Sequence, residues 1–237
     1  MLPPLAGALV AEAFGLFALS FVGILAIHQL GQAPTGLIGI AIAQGLILAI
    51  AITIAAPISG GHINPAVTIG LLALGKIKPS AAIAYIVAQC VGGLLAGLAI
   101  MALIKANGAA IVANGTPVIA LNTAREPLIT IPGAVVAEAI TTFFLMMAVL
   151  GTAVDPRAPK IGGFGIGLTV TADILAIGPL TGAAMNPARA FGPALAASMG
   201  HADIPWSQHW IYWVAPIAGA LAASLLYRLF FEPRSAR

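Results

Sequence analysis

Two asparagines carry the most distinctive chemistry in this chain. Ser59-Gly60-Gly61-His62-Ile63-Asn64-Pro65-Ala66 and Thr181-Gly182-Ala183-Ala184-Met185-Asn186-Pro187-Ala188 share the pattern Ser/Thr-Gly-x-x-x-Asn-Pro-Ala. A further glycine follows each asparagine by six residues, Gly70 and Gly192. An Asn-Pro pair suits the start of a helix. The side-chain oxygen caps the first turn, and proline loses no hydrogen bond there. The amide NH2 stays free to donate. Two such amides facing one point would hold an oxygen acceptor from both sides. Gly60 to Ile63 and Gly182 to Met185 would add backbone carbonyls beside them, with Gly60, Gly61, His62, Gly182 and Ala184 the main contributors.

Two carboxylates repeat as well. Ala11-Glu12-Ala13 matches Ala137-Glu138-Ala139, and the Glu–Asn separations are 52 and 48 residues. An unpaired acid in an apolar span is costly. One task done twice, accepting backbone hydrogen bonds from the loop before each Asn-Pro-Ala, explains the pair; a proton relay is the alternative. Arg189 has no such twin, since Val67 occupies the matching position. A lone cation at that depth points to solute contact and cation repulsion. Asp173 suits a structural pairing, with direct solute contact the alternative, and His62 a backbone-bonded loop position, with a pH gate the alternative. His28, His201 and His209 fall near expected water interfaces, and Trp206, Trp210, Tyr212 and Trp213 look like an interfacial belt.

The elements that hold these residues follow from composition. Of 237 residues 60% are hydrophobic and 7% charged, against about 25% charged in soluble domains. That shortfall excludes a soluble enzyme, a nucleic-acid-binding domain and a disordered chain. Apolar runs at about 5–27, 37–56, 81–104, 133–153, 163–180 and 208–231 are long enough to span a bilayer. Segments at about 65–74 and 187–197 are half that length and begin with proline. They are expected to dip in and stop. The first apolar run lacks a leader's basic start and cleavage context, so it is expected to be a retained span. Cys90 has no partner for an intrachain disulfide and is expected to pack.

Three spans per half make the second half enter with opposite polarity. The expected fold is therefore all-α and membrane-embedded: six transmembrane helices plus two re-entrant half-helices in an inverted repeat. One domain covers 1–237, with repeats at about 1–104 and 133–237 and a loop at about 105–132 that has the length to cover the outer mouth. With the N-terminus inside, Lys76, Lys78, Arg157, Lys160, Arg228, Arg234 and Arg237 lie on the cytoplasmic side, against Lys105 and Arg125 outside. The positive-inside bias then puts both termini in the cytoplasm.

Inverted repeats place their site near the midplane, and irregular backbone there must line a cavity or be buried in protein. Two partially positive helix ends capped by asparagine would orient a passing water, break a proton wire and repel cations. A passive pore for water and small neutral solutes is the expected function. Ions and protons are excluded, and no cofactor, metal or nucleic acid is involved. A secondary transporter is the rival. An ion channel lacks its filter here, and an enzyme lacks its motifs.

These motifs, SGGHINPAVT and TGAAMNPARAFGPAL, resemble the major intrinsic protein (aquaporin) family across the whole chain. The segment TADILAIGPLTGAAMNPARAFGPAL is similar to plant tonoplast-type members, although the compact loops suit a prokaryotic member of a cell membrane equally. The resemblance implies a homotetramer with one pore per protomer. It also implies a four-position selectivity filter, carried by spacing onto Gln44, Ile174, Ala183 and Arg189, with Gln44 lying 20 residues before Asn64 and Ile174 15 before Arg189. The strict water pattern has an aromatic and a histidine where Gln44 and Ile174 stand. Their absence implies a relaxed filter open to ammonia, glycerol or urea. Ala190, Ala194 and Tyr212-Trp213 resemble the water-channel branch rather than the glycerol facilitators.

Overall fold

Backbone amides in hydrocarbon must bond within their own segment, so apolar runs of this length become helices. The computed structural model describes residues 4–159 and 161–233; Lys160, Arg234 and Arg237 lie outside them. Its elements in chain order are α1 (Pro4–Leu30), α2 (Gly36–Ser59), α3 (Pro65–Ala73), α4 (Pro79–Leu103), α5 (Gly108–Asn114), α6 (Ile131–Val149), α7 (Gly162–Thr181), α8 (Pro187–Met199) and α9 (Ile211–Leu226). Wider π turns at Leu150–Val154 and Tyr227–Phe231 lengthen α6 and α9. Six helices are long and apolar enough to cross a membrane. The two half-length helices, α3 and α8, are not.

Each long helix has a lipid stripe. On α2, Ile38, Ile42, Leu46, Ile50, Ile54 and Ile58 recur every fourth residue and are all exposed, while Ala41, Gly45, Leu48, Ile52 and Ala55 are buried. Helices meet where side chains vanish, because lipid gives no hydrophobic drive for helices to associate and close packing must supply it. A methyl group on Gly45 would strike α7 at Gly167, and one on Gly167 would strike the Gly45 carbonyl. Both glycines stand 19 residues before their asparagine. Likewise, Gly92 of α4 abuts the Ala13 carbonyl of α1, and Gly219 of α9 abuts the Ala139 carbonyl of α6.

The repeats interlock. The half-helix α8 crosses α4 with Gly192 against Gly93, whereas α3 packs on α9, where Ser224 Oγ donates to the Gly70 carbonyl at 3.1 Å. Each half-helix thus rests on the third span of the opposite repeat. The segment 105–132 forms the short helix α5 and then a turn closed by a bridge between Leu121 and Pro127. Its Ala120 N–H donates to the Leu180 carbonyl, which brings the segment against the end of α7.

Candidate functional site

Asn64 and Asn186 are the N-caps of α3 and α8. The Asn64 side-chain oxygen accepts from Ala66 N–H at 2.8 Å, and the Asn186 oxygen accepts from Ala188 and Arg189 N–H at 3.2 Å each. Pro65 and Pro187 occupy the first helical turn, and Ala66 and Ala188 are fully buried behind them. The amide nitrogens cross over. Asn64 Nδ2 donates to the Met185 carbonyl and Asn186 Nδ2 to the Ile63 carbonyl, both at 2.8 Å. This corrects the expectation that each NH2 is wholly free. One hydrogen of each is committed to the opposite loop, and one remains. The Ile63 and Met185 carbonyls are correspondingly occupied.

The loops feeding these caps have the same backbone path. Positive φ falls at Gly60, Gly61 and Ile63 in the first and at Gly182, Ala183 and Met185 in the second. Left-handed backbone on a β-branched residue such as Ile63 is strained, costing about 1–3 kcal/mol per such residue. The carboxylates hold it in place. Glu12 accepts from Ser59 Oγ (2.6 Å), His62 N–H (2.9 Å), Ile63 N–H (2.6 Å) and Gln89 Nε2 (2.7 Å). Glu138 accepts from Thr181 Oγ1 (2.7 Å), Ala184 N–H (2.9 Å) and Met185 N–H (2.8 Å). Both acids are fully buried.

Two tyrosines complete the symmetry. Tyr85 Oη donates to the Ser59 carbonyl at 2.9 Å and Tyr212 Oη to the Thr181 carbonyl at 3.0 Å. Tyr212 is therefore a buried loop anchor and leaves the interfacial belt, in which Trp206 and Trp210 remain exposed. The third span of each half carries a tyrosine, Tyr85 and Tyr212, although Tyr227 in the second blurs the match. His209 is half-buried among Phe191, Trp206 and Tyr212 rather than open at the interface.

The first loop carries a polar network that the second lacks. Thr68 Oγ1 donates to the Asn64 carbonyl (2.9 Å) and accepts from Gln89 Nε2 (3.1 Å). Its remaining lone pair meets His62 Nδ1 at 3.1 Å. A hydroxyl has one hydrogen, so His62 Nδ1 must be the donor and the Nε2 of a neutral ring is left as an acceptor. Ala184 and Ala190 occupy the matching places in the second repeat.

A narrow cavity runs between the two loops and is lined by Asn64, Asn186, Gly61, His62, Ala183 and Ala184 together with apolar residues such as Leu48 and Val170. Gln44, Ile174 and Arg189 line both this cavity and a wider one of about 870 Å³, which Asn114 to Val118 and Gly182 also border. At the other end Ile52, His62 and Ile166 are shared with a cavity of about 750 Å³ that includes Gly60 and Lys76. The three together form one route, with Gln44, Ile174 and Arg189 at one neck and the crossed asparagines in the central segment. Ala183 belongs to the central segment alone. Residues 114–118 were not singled out from sequence, because an uncharged turn carries no chemical signature. Asp173 is buried off this route, with Oδ2 unpartnered among the described residues. No cluster of three His, Cys, Asp or Glu side chains suited to a metal occurs among those residues.

Six spans, two half-length helices meeting cap to cap, and an enclosed route past them define the aquaporin-like fold. The chain belongs to the major intrinsic protein family, whose profile matches residues 3–227. It is 40% identical to "Aquaporin TIP4-4" of Zea mays over 230 residues, covering 93% of this chain and 84% of that one. It is 38% identical to "Probable aquaporin TIP3-2" of Arabidopsis thaliana over 241 residues, covering 95% and 84%. Among solved structures, the aquaglyceroporin from Plasmodium falciparum superposes with a TM-score of 0.81 at 22% identity, covering 94% of this chain and 95% of that one.

Proposed function

We propose that this protein is a passive channel for water with a filter relaxed enough to admit small neutral solutes, and that it excludes protons and ions. The observation that carries the reading is the crossed pair of asparagine amides in the central cavity. Each retains one hydrogen, and each caps a helix whose positive end faces the centre. A water accepting there turns its own hydrogens outward, which interrupts proton hopping. The same reciprocal bonds tie the two loops together and argue against the rocking a secondary transporter needs. A channel of this kind is not an enzyme. The names of the two relatives cited above, both aquaporins, support the same conclusion.

The filter assignment to Gln44, Ile174, Ala183 and Arg189, and the division into repeats at about 1–104 and 133–237, belong to this reading. So does a homotetramer in a cell membrane with both termini cytoplasmic. Charge supports the orientation alone: Lys76, Arg157 and Arg228 gather at the His62 end of the route, and Lys105 lies at the other. Likeness to the tonoplast-type branch makes an internal membrane the competing location, which fractionation decides. The functional test is stopped-flow light scattering on reconstituted vesicles, comparing water, glycerol, urea and ammonia in one preparation. A linear, weakly temperature-dependent water flux is expected. Saturable, gradient-coupled transport would overturn the proposal.

A further inference from the structure

Arg189 is 4% exposed, and its guanidinium makes one side-chain hydrogen bond among the described residues, from Nε to Gln44 Oε1 at 3.2 Å. Its Nη1 is buried without a partner. One lone pair of the Gln44 oxygen is therefore committed to the arginine, and the amide NH2 makes no protein hydrogen bond among the described residues. Gln44 owes its place to a glycine outside every cavity wall described above. A methyl on Gly23 of α1 would sit 3.1 Å from Gln44 Cγ and Cδ and 3.2 Å from Oε1, so the amide would have to shift by a few tenths of an ångström.

We propose that Gly23 and Gln44 are positioning residues for Arg189: the space at Gly23 seats the Gln44 amide, and that amide pins the guanidinium against the α2 wall, which holds the neck open opposite Ile174. This deepens the channel reading and rests on it. Released from Gln44, the Nε–H loses its one side-chain acceptor among the described residues. It turns to water in the lumen and carries the guanidinium across the neck. The pinned wall offers solutes mainly donors, from Gln44 Nε2 and the arginine. It therefore favours small neutral molecules that present an acceptor oxygen, of which urea is a convenient probe.

The test uses the full chain in vesicles. In Gln44→Leu and in Gly23→Ala the ratio of urea to water permeability is expected to fall roughly threefold or more as the neck narrows. In Gln44→Glu, which keeps an acceptor for Arg189 but loses the NH2 that meets a solute, the ratio should fall less than in Gln44→Leu. An unchanged ratio in Gln44→Leu, or an equal fall in Gln44→Glu, overturns the inference. Solid-state NMR of arginine-15N protein in bilayers reads the pin directly. The Arg189 Nε–H signal should move in the Leu and Ala variants and keep its hydrogen-bonded position in the Glu variant; the absence of that pattern also overturns it. Vesicles of the parent that pass neither water nor urea would defeat the channel reading instead, while the NMR comparison still decides the arginine's position.

Discussion

Ile63 and Met185 show how individual residues are held in unfavourable backbone. Each has its N–H bonded to a buried carboxylate and its carbonyl bonded to an asparagine of the opposite loop. Removing the negative charge should loosen the loop. Glu138→Gln keeps the shape, cannot accept all three donors, and is expected to cost about 2 kcal/mol, as for hydrogen bonds to a charged group. Unfolding midpoints in detergent measure it. Arg189→Ala should retain water flow and admit larger or charged solutes; unchanged selectivity would remove Arg189 from the filter. Ile174→His should narrow the neck and suppress glycerol and ammonia relative to water in the same vesicle assay. At this scale the asparagine caps were legible, because Asn-Pro at a helix start has a local physical reason. Their crosswise bonds were not, since a backbone carbonyl 121 residues away leaves no mark in the sequence.

At the scale of elements, apolar runs announced every span, but their ends were underestimated where helix continues through unfavourable residues. Expected to stop near 56, α2 runs on through Pro57 to Ser59, whereas α7, expected to reach 180, runs through Pro179 to Thr181 much as read. Both prolines stand seven residues before their asparagine. The short helix α5 was missed, because seven residues without charge or cap carry no periodic signal. The α2–α7 crossing depends on Gly45 and Gly167. Gly167→Val is expected to force it open at a cost of roughly 1–3 kcal/mol, read as loss of monodisperse protein on size exclusion. At the ends of α6 and α9, Arg157 bonds Asp155 and the Phe231 carbonyl, and Tyr227 Oη bonds Asp155. Those bonds hold the Asp155 carboxyl well below its ordinary range, with the Arg157 side chain the largest cause. A depressed carboxylate contributes stability above its unfolded pKa and loses it only as pH falls through the folded value. This latch should therefore be indifferent to pH between neutrality and the ordinary carboxylate range, and weaken only in stronger acid. Thermal unfolding of Arg157→Ala against the parent across that range checks it.

For the whole molecule, orientation is the open quantity that charge predicts. In a Cys90→Ser background, a cysteine at Lys76 should react with an impermeant maleimide only from the cytoplasmic side, and one at Lys105 only from the opposite side. The reverse pattern would invert the assignment. The architecture itself was readable from two repeated motifs and an odd number of spans per half. The burial of Tyr212 and the vestibule made by residues 114–118 depend on how distant segments dock, which local pattern does not encode.

The exchange of amide bonds between Asn64 and Asn186 has an ancestral corollary. A lone half would leave its cap hydrogen and its loop carbonyl without partners, yet an upside-down twin of the same half supplies both. Two antiparallel copies of a single short gene product would close the same circuit, so fusion of a pre-existing homodimer is sufficient to account for the present chain.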